Sequence, residues 1–428
     1  MSEYLVRNAT DRSGLSIDVA VRNGVVDEIL PGGQADPEQF DPADRFDADG
    51  SLVTPTFSEP HTHLDTAFTV SEAPVNGSGT VEEGWDTWAA AREELSKREV
   101  RQRARENLRW FVSNGVTRVR THADVTASHW AAIEALLDVR EEFEAVDLEI
   151  IAFPIDSVVD DEETIDQVRR ALEMGVDIVG GLPHKERTRE NGVEHVRQLV
   201  DVAEAYDRRM DFHIDESDDP NCRFTEVLVD ETSKRGISSR ATASHVTALH
   251  SYPNTYASKL VGMLAEADVD VVTNPLANSI VQGRYDDFPR RRGHTRVRDL
   301  REAGVTVGIG QDSVMDSTYQ YGDGDPLKAA FMLVHFAHMN LRRDVADLWE
   351  MLTDGNAAVF GAERYGLAEG CEGSLVVFDA PDPYSALRTQ PPRTLVLKDG
   401  RPVAKGRRST AVREGSEWTD VSPERPSG

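Results

Sequence analysis

From residue 52 onward, short apolar, β-rich runs alternate with amphipathic stretches, and this rhythm constrains the fold more than any other feature of the chain. The runs are 52–57, 116–122, 148–154, 176–183, 210–214, 241–245, 269–275 and 305–310. Between them, segments such as 101–113, 164–174 and 193–206 carry apolar residues at helical spacing. Eight strand–helix units of this length predict an α/β fold, a (β/α)8 TIM barrel. A doubly wound open sheet is the competing architecture. The barrel is favoured because polar chemistry falls at the C-terminal ends of runs one, five, six and eight, where such barrels build their sites.

The two ends of the chain read differently. Residues 16–21 alternate, Asn23-Gly24 is a hairpin-turn signal, and the apolar stretch 25–30 follows it. Residues 31–50 are rich in Pro, Gly and Asp and read as loop. After a helical stretch from Val345 and Asn356-Ala357-Ala358, residues 373–379 and 394–400 read as short strands. Residues 1–52 plus 366–413 are therefore expected to meet in a small composite β-sandwich beside a barrel spanning 53–365. Residues 414–428, with Pro, Ser and charges, read as a flexible tail.

His61-Thr62-His63 follows the first predicted run. On an extended strand, residues two apart share a face, so both imidazoles can reach one ion. His213 and Asp312 end later runs. Three imidazoles and one carboxylate make a good divalent-metal site. Each residue also has a plainer reading: a core histidine for His213, a helix cap or turn residue for Asp312. Glu216 and His245 are left over as the proton carriers that metal-assisted hydrolysis needs. Glu216 could instead be a solvated loop carboxylate, and His245 a ligand to a second metal. Binuclear sites of this type usually need a bridging lysine at the end of strand four. Lys185 is near there, but His184 intervenes, and a single metal is expected.

Several stretches together resemble the cytosine deaminase branch of the amidohydrolase superfamily, over nearly the whole chain. They are Glu59-Pro60-His61-Thr62-His63-Leu64-Asp65-Thr66, Val119-Arg120-Thr121-His122-Ala123-Asp124-Val125, Pro183-His184-Lys185-Glu186, His213-Ile214-Asp215-Glu216 and Thr242-Ala243-Ser244-His245 with His250-Ser251-Tyr252. Asn274-Pro275-Leu276 through Gln282-Gly283-Arg284, and Pro289-Arg290-Arg291-Arg292-Gly293, complete the set. The resemblance implies one divalent ion per chain, Fe2+ or Zn2+, held by His61, His63, His213 and Asp312. It implies a metal-activated hydroxide that attacks a ring carbon carrying an amino group. His245 would orient or deprotonate the water, Glu216 would carry the proton to the ring nitrogen, and Asp312 could assist the departure of ammonia. It also implies a homo-oligomer.

Three departures touch the expected substrate pocket and none touches the metal ligands. Cytosine deaminases of the family carry a glutamine after the Ala-Phe-Pro of strand three, where this chain has Ile155 after Ala152-Phe153-Pro154. The second aspartate after the metal aspartate is Ser313, and a tryptophan a few residues on is Thr318. Ile155 cannot pair with a ring carbonyl, and an unpaired buried polar group costs about 1–3 kcal/mol. Ser313 and Thr318 leave extra room. The expected reaction is deamination of an amino-substituted N-heterocycle: cytosine, a substituted cytosine, or an isocytosine-like, ammelide-like or creatinine-like ring. The alternative is a cyclic-amide hydrolase that opens a ring. A catalytically silent scaffold would have lost a ligand, and none is missing.

Composition bounds the setting. No run of eighteen apolar residues suggests a membrane span, and the first residues, MSEYLVRNAT, show no secretory signal. The cytoplasm is the default expectation. Net charge is −29, which repels nucleic acid. With 7 Lys against 40 Arg and acids along the whole chain, the composition looks like that of a salt-loving archaeon, and the fold is expected to weaken when salt is removed. Cys222 and Cys371 form no C-x-x-C and read as reduced thiols.

Overall fold

The computed structural model describes residues 3–71, 76–414 and 416–420. Eight strands, Phe57–Thr62, Val116–Asp124, Asp147–Phe153, Ile178–Gly181, Arg209–Ile214, Ala241–His245, Asp270–Thr273 and Val307–Ile309, form one sheet in chain order. Every neighbouring pair is parallel. Helices such as Lys97–Ser113, Glu162–Met174 and Arg189–Ala205 return the chain between strands. The strands read as nearly unbroken apolar runs because the barrel interior covers one face and the helices cover the other. The helices start where the sequence supplies caps. Ser96 and Glu99 form a capping box, and Asp161 and Thr188 accept from the first turns of their helices.

The first and eighth strands close the barrel at one end and through one side chain. The Asp312 N–H donates to the His61 carbonyl (2.8 Å), and the His63 N–H donates to the Asp312 carbonyl (3.1 Å). Deeper in, the Asn356 amide donates to the carbonyls of Ser58 (2.7 Å) and Ile309 (3.0 Å) and accepts from the Ile309 N–H (2.8 Å). Asn356 follows a π-helical turn, Met351–Gly355, which interrupts the helical register just before it. Glu59 ties the same seam, accepting from the N–H groups of His61 and Gln311 at 3.0 Å each.

The run at 52–57 is divided between two cores. Val53–Pro55 pairs antiparallel with Leu375–Phe378, and the first barrel strand begins at Phe57. Val53 packs with Leu375, Val377 and Leu395. Phe57 packs against Trp349 and Phe378, with ring centroids 5.8 and 5.9 Å away. Apolar content alone cannot say which of two cores a short run joins.

Outside the barrel, Glu3–Thr10, Ser16–Arg22, Val25–Pro31 and Arg45–Asp47 form one four-stranded sheet. Val53–Pro55, Leu375–Phe378, Arg393–Lys398 and Arg401–Ala404 form another. Val6, Val19 and Val21 from the first meet Leu375, Val377 and Leu397 from the second in a separate apolar core. The expected loop at 31–50 contains two short turns, Pro37–Gln39 and Pro42–Asp44, and the strand Arg45–Asp47. Ala411–Glu414 pairs with Glu417–Asp420, so the expected tail starts within a two-stranded ribbon; its residues 421–428 lie outside the described residues. No described helix is long and apolar enough to cross a membrane. Cys222 and Cys371 are both free.

Candidate active site

The expected metal ligands and proton carriers sit at or just past the C-terminal ends of barrel strands. His61 lies near the end of the first strand and His63 just beyond it, His213 lies within the fifth, His245 ends the sixth and Asp312 follows the eighth. Glu216 stands two residues beyond the fifth. The backbone is left-handed at Asp215, His245, Val246 and Asp312, with φ of 51°, 73°, 48° and 68°. Such conformations are disfavoured for these residues and cluster where strand ends must turn side chains toward a site. Gly310 permits a close approach: a Cβ there would lie 2.3 Å from Asn274 Oδ1 and 3.0 Å from the His61 Cβ.

The structure brings His61, His63, His213 and Asp312 together, with one ligand atom of each within 4.8 Å of all the others. The Nε2 atom of His213 lies 3.2 Å from that of His61 and 3.1 Å from that of His63. The nearer Asp312 oxygen is 3.5 Å from His61 Nε2 and 3.3 Å from His63 Nε2. Four donors arranged tetrahedrally about zinc at the usual Zn–N length stand about 3.4 Å apart. The spacing and the donor set therefore fit a divalent cation. Burial alone would raise the Asp312 carboxyl, but hydrogen bonds from His61 and His63 hold it well below the ordinary range. Burial drives His213 well down, and the neighbouring imidazoles add to that, which keeps its nitrogen free to bind.

A buried polar chain supports these donors from below. His61 Nδ1 is 2.9 Å from Ser244 Oγ, and the Ser244 hydroxyl donates to Asp211 (2.6 Å). With its proton so committed, Ser244 accepts from Nδ1–H, which turns the His61 Nε2 lone pair toward the cluster. Asp211 in turn accepts from Arg120 (3.1 Å), which also binds Glu149 (3.0 Å). His122 lies beside His61, its Nε2 3.1 Å from His61 Nδ1. His61, His122 and Asp211 also approach one another closely. Asp211 is already held by Arg120 and Ser244, so this grouping is a hydrogen-bond network in character.

Glu216, His245 and Asp312 converge in the same way. Glu216 Oε1 lies 3.4 Å from His245 Nδ1. Both side chains are buried, and Asn278 links them: its Nδ2 donates to Glu216 (2.8 Å), and its amide lies 3.0–3.2 Å from His245 Nδ1. Burial, reinforced by the Asp312 charge, raises the Glu216 carboxyl well above its ordinary value. Burial lowers His245 to about 3, so it is neutral at physiological pH. The pair thus sets a carboxyl whose protonated form is favoured beside a neutral imidazole.

Ile155, Ser313 and Thr318 line the cavity over these groups, with Phe153, Trp85 and Trp88. The two tryptophans come from the helix Val81–Ala91, inserted after the first strand. Trp88 is fixed by its indole N–H donating to Asp124 (2.9 Å). Asp316 also lines the cavity and accepts from the Thr66 hydroxyl (2.7 Å). Sequence reading did not single out Asn278, Ser244, Asp211, Trp85, Trp88 or Asp316 as site residues. Asn278 lies four residues past Asn274, one helical turn into Pro275–Val281, and that spacing was the available signal. Lys185 points elsewhere, its ammonium 4.0 Å from Asp156 and over the Trp85 ring at 5.6 Å.

Comparison with known proteins agrees with this fold. The profile of the amidohydrolase family matches residues 78–404. The crystal structure of 5-methylcytosine deaminase from Klebsiella pneumoniae liganded with 5-fluorocytosine superposes with a TM-score of 0.91 at 36% identity, covering 96% of this chain and 100% of that one. N-isopropylammelide isopropyl amidohydrolase of Pseudomonas sp. (strain ADP) is 29% identical over 374 residues, 85% of this chain and 88% of the relative. Pterin deaminase of Rhizobium rhizogenes is 29% identical over 393 residues, 90% of this chain and 87% of the relative.

Proposed function

The chain belongs to the amidohydrolase family, and from that premise we propose that it is a metal-dependent aminohydrolase releasing ammonia from an amino-substituted N-heterocycle, a pyrimidine or triazine in the first instance. It is a hydrolase of carbon–nitrogen bonds, as its relatives are. The observation that carries the narrower reading is the meeting of a buried carboxyl, Glu216, and a neutral imidazole, His245, within reach of Asp312. Proton transfers are needed at both the ring and the leaving amine, and these groups supply them.

His61, His63, His213 and Asp312 would hold one divalent ion, iron or zinc. When bound, the ion supplies Lewis acidity and lowers the pKa of water to about 7 in favourable cases, making hydroxide available at neutral pH. His245 orients the water and accepts its hydrogen bond. Glu216 gives its proton to the ring nitrogen next to the reacting carbon. Oxygen adds to that carbon, the carbon–nitrogen bond to the amino group breaks, and the nitrogen leaves as ammonia with a proton passed through Asp312. The products are a ring lactam and ammonia. Positioned proton transfer of this kind is worth about 10²–10⁴-fold.

The substrate is a small heterocycle whose ring meets Trp85, Trp88 and Phe153. Relatives are named for 5-methylcytosine, N-isopropylammelide and pterin. Ile155, Ser313 and Thr318 replace the polar and bulky groups that read plain cytosine, which favours a substituted ring. The position of Lys185 against Asp156 supports one metal over two, and so deamination over ring opening. The test is ammonia release by metal-loaded protein in high salt across aminopyrimidines, aminotriazines, pterin and creatinine. Release from one ring, abolished by Glu216→Gln, supports the reading. No ammonia from any member, with the metal site filled, moves the assignment to ring-opening hydrolysis.

A further inference from the structure

Asp124 ends the second barrel strand, and the proposed chemistry gives it no part. Its carboxylate is buried and collects four donors. One oxygen accepts from the Trp88 indole N–H (2.9 Å) and from Arg92 (3.2 Å). The other accepts from the Thr126 N–H (2.8 Å) and the Thr126 hydroxyl (2.6 Å). Arg92 stands in the turn that directly follows the helix Val81–Ala91, and it is 8% exposed. Its guanidinium also donates to the Thr126 hydroxyl (2.8 Å) and to Asp156 (2.5 Å). Burying a cation is costly unless its donors find partners, and the planar guanidinium makes those partners fix its direction.

Asp124 and Arg92 stand behind the cavity wall, and each holds a part of that wall. Trp88, on the inserted helix, and Ile155, next to Asp156 on the loop after the third strand, both line the cavity. They pack with Phe153 and Leu182 in an apolar cluster separate from the main core. Apolar burial is non-directional, so this cluster alone does not set the tilt of the helix. The Asp124–Arg92 pair supplies the direction. Asp124 holds the Trp88 indole, and Arg92 ties the helix end to Asp156 beside Ile155. We propose that Asp124 and Arg92 are positioning residues for substrate selection, which fix the gap between Trp88 and Ile155 that receives the substrate ring. Glu216 and His245 lie on other strands, so the pair acts on binding and leaves the proton transfers alone. The substrate ring in this inference rests on the deaminase reading; the clamp on Trp88 goes beyond it.

The test compares wild type with Asp124→Asn, Trp88→Phe and the double variant, with circular dichroism and metal content confirming that each is folded and loaded. Asp124→Asn keeps the shape and removes the acceptor that Trp88 and Arg92 share. With the ring that releases ammonia, it is expected to raise KM about 10-fold while kcat stays within about threefold. A rise in KM of less than about threefold overturns the inference. In a Trp88→Phe background the same substitution is expected to cost much less, because residues that act through one another are not additive. A loss as large as in the wild-type background places the effect of Asp124 elsewhere and overturns the inference. If Asp124→Asn does not fold, Arg92→Lys takes its place under the same thresholds: it keeps the charge but loses the fork that spans Asp124 and Asp156. Acrylamide quenching of tryptophan fluorescence gives a readout that needs no substrate. The Trp88 contribution, taken as the difference that Trp88→Phe makes in each background, is expected to be more quenchable in Asp124→Asn than in wild type. Should wild type release no ammonia from any ring, the failure is that of the deaminase reading, and quenching then decides. A more quenchable Trp88 upholds the positioning role, and an unchanged one overturns it.

Discussion

Asp312 and His61 are joined twice, once through backbone and once through side chains. The Asp312 N–H binds the His61 carbonyl at 2.8 Å, and the Asp312 carboxylate stands 3.5 Å from His61 Nε2. The seam that closes the barrel therefore also carries residues of the proposed metal site. Its backbone half does not need the carboxylate, so the two functions are separable by mutation. Asp312→Asn is expected to keep the wild-type far-ultraviolet spectrum but to lose most bound metal and nearly all activity. Elemental analysis of the purified variant checks this, and a full metal complement would remove Asp312 from the ligand set.

Among the described residues, Ser244 reaches the proposed metal site through His61 Nδ1. Supporting hydrogen bonds of this type typically contribute 10–100-fold in metal affinity or activity. Ser244→Ala is expected to weaken metal binding by that factor in a chelator competition while leaving the substrate KM of fully loaded protein near wild type. An unchanged metal affinity would show that the His61 tautomer is held by something else, with His122 the neighbour to examine.

Asn278 bridges Glu216 and His245. Burial, then the Asp312 charge, raises the Glu216 carboxyl well above its ordinary value and so favours its protonated form. As general acid it fails when that proton is lost, so kcat/KM falls as pH rises through its pKa. Asn278→Asp places a second carboxylate where the amide donated at 2.8 Å. Like charge favours the protonated form, so the alkaline limb is expected to move to higher pH by about one unit or more. Asn278→Ala is expected to lower kcat about 10- to 100-fold with metal retained. A pH profile unmoved in both variants would leave Asn278 with a packing role only.

The barrel and the meeting of His61, His63, His213 and Asp312 were legible because both rest on local patterns. Apolar runs marked the strands, and two histidines two apart marked a strand face. The Val53–Pro55 assignment was not legible, because pairing with Leu375–Phe378 depends on residues over three hundred positions away. Trp85 and Trp88 were missed for a related reason. They sit on an inserted helix whose apolar face resembles any core-facing helix until its partner is known. Ser244 and Asp211 are small or charged residues within buried strands, and their purpose appears only when strand register brings them under His61.

His184 also predicts a pH effect on stability. Its folded pKa, lowered to about 3 by burial, lies below the ordinary 6.5. The unfolded chain then binds the proton first, and the folded state loses stability as pH falls from about 6.5 toward 3. The contribution is fully present above pH 6.5. His184→Phe lacks this liability, so its melting temperature relative to wild type is expected to rise as pH is lowered across that window. Thermal melts of both proteins at matched salt check it, and a constant difference would show that the ring is charged or solvated in the fold.

The pocket departures make a sharper prediction. Ile155 and Ser313 line the cavity where a cytosine reader would carry Gln and Asp. Ile155→Gln with Ser313→Asp is expected to raise kcat/KM for cytosine relative to the preferred ring by at least tenfold, since a good hydrogen bond to a buried ring is worth about 1–3 kcal/mol. Unchanged relative rates would mean that the ring lies with its polar edge turned from residue 155.

The net charge of −29 sets the response to salt. Exposed ion pairs such as Lys234 with Asp230 and Arg101 with Glu142 are weakened by salt, but each contributes only about 0–1 kcal/mol. Repulsion among the unmatched acids acts in the other direction. It is screened over about 10 Å at 0.1 M salt and about 3 Å at 1 M. With 76 acidic against 47 basic residues, the repulsive side outweighs the pairs, so added salt should stabilise. The melting temperature is expected to rise steadily from about 0.1 M KCl to molar concentrations, a range over which Debye screening shortens about threefold. Equal melting temperatures at both ends would mean that the acids are matched locally, and that the composition carries no adaptation to salt.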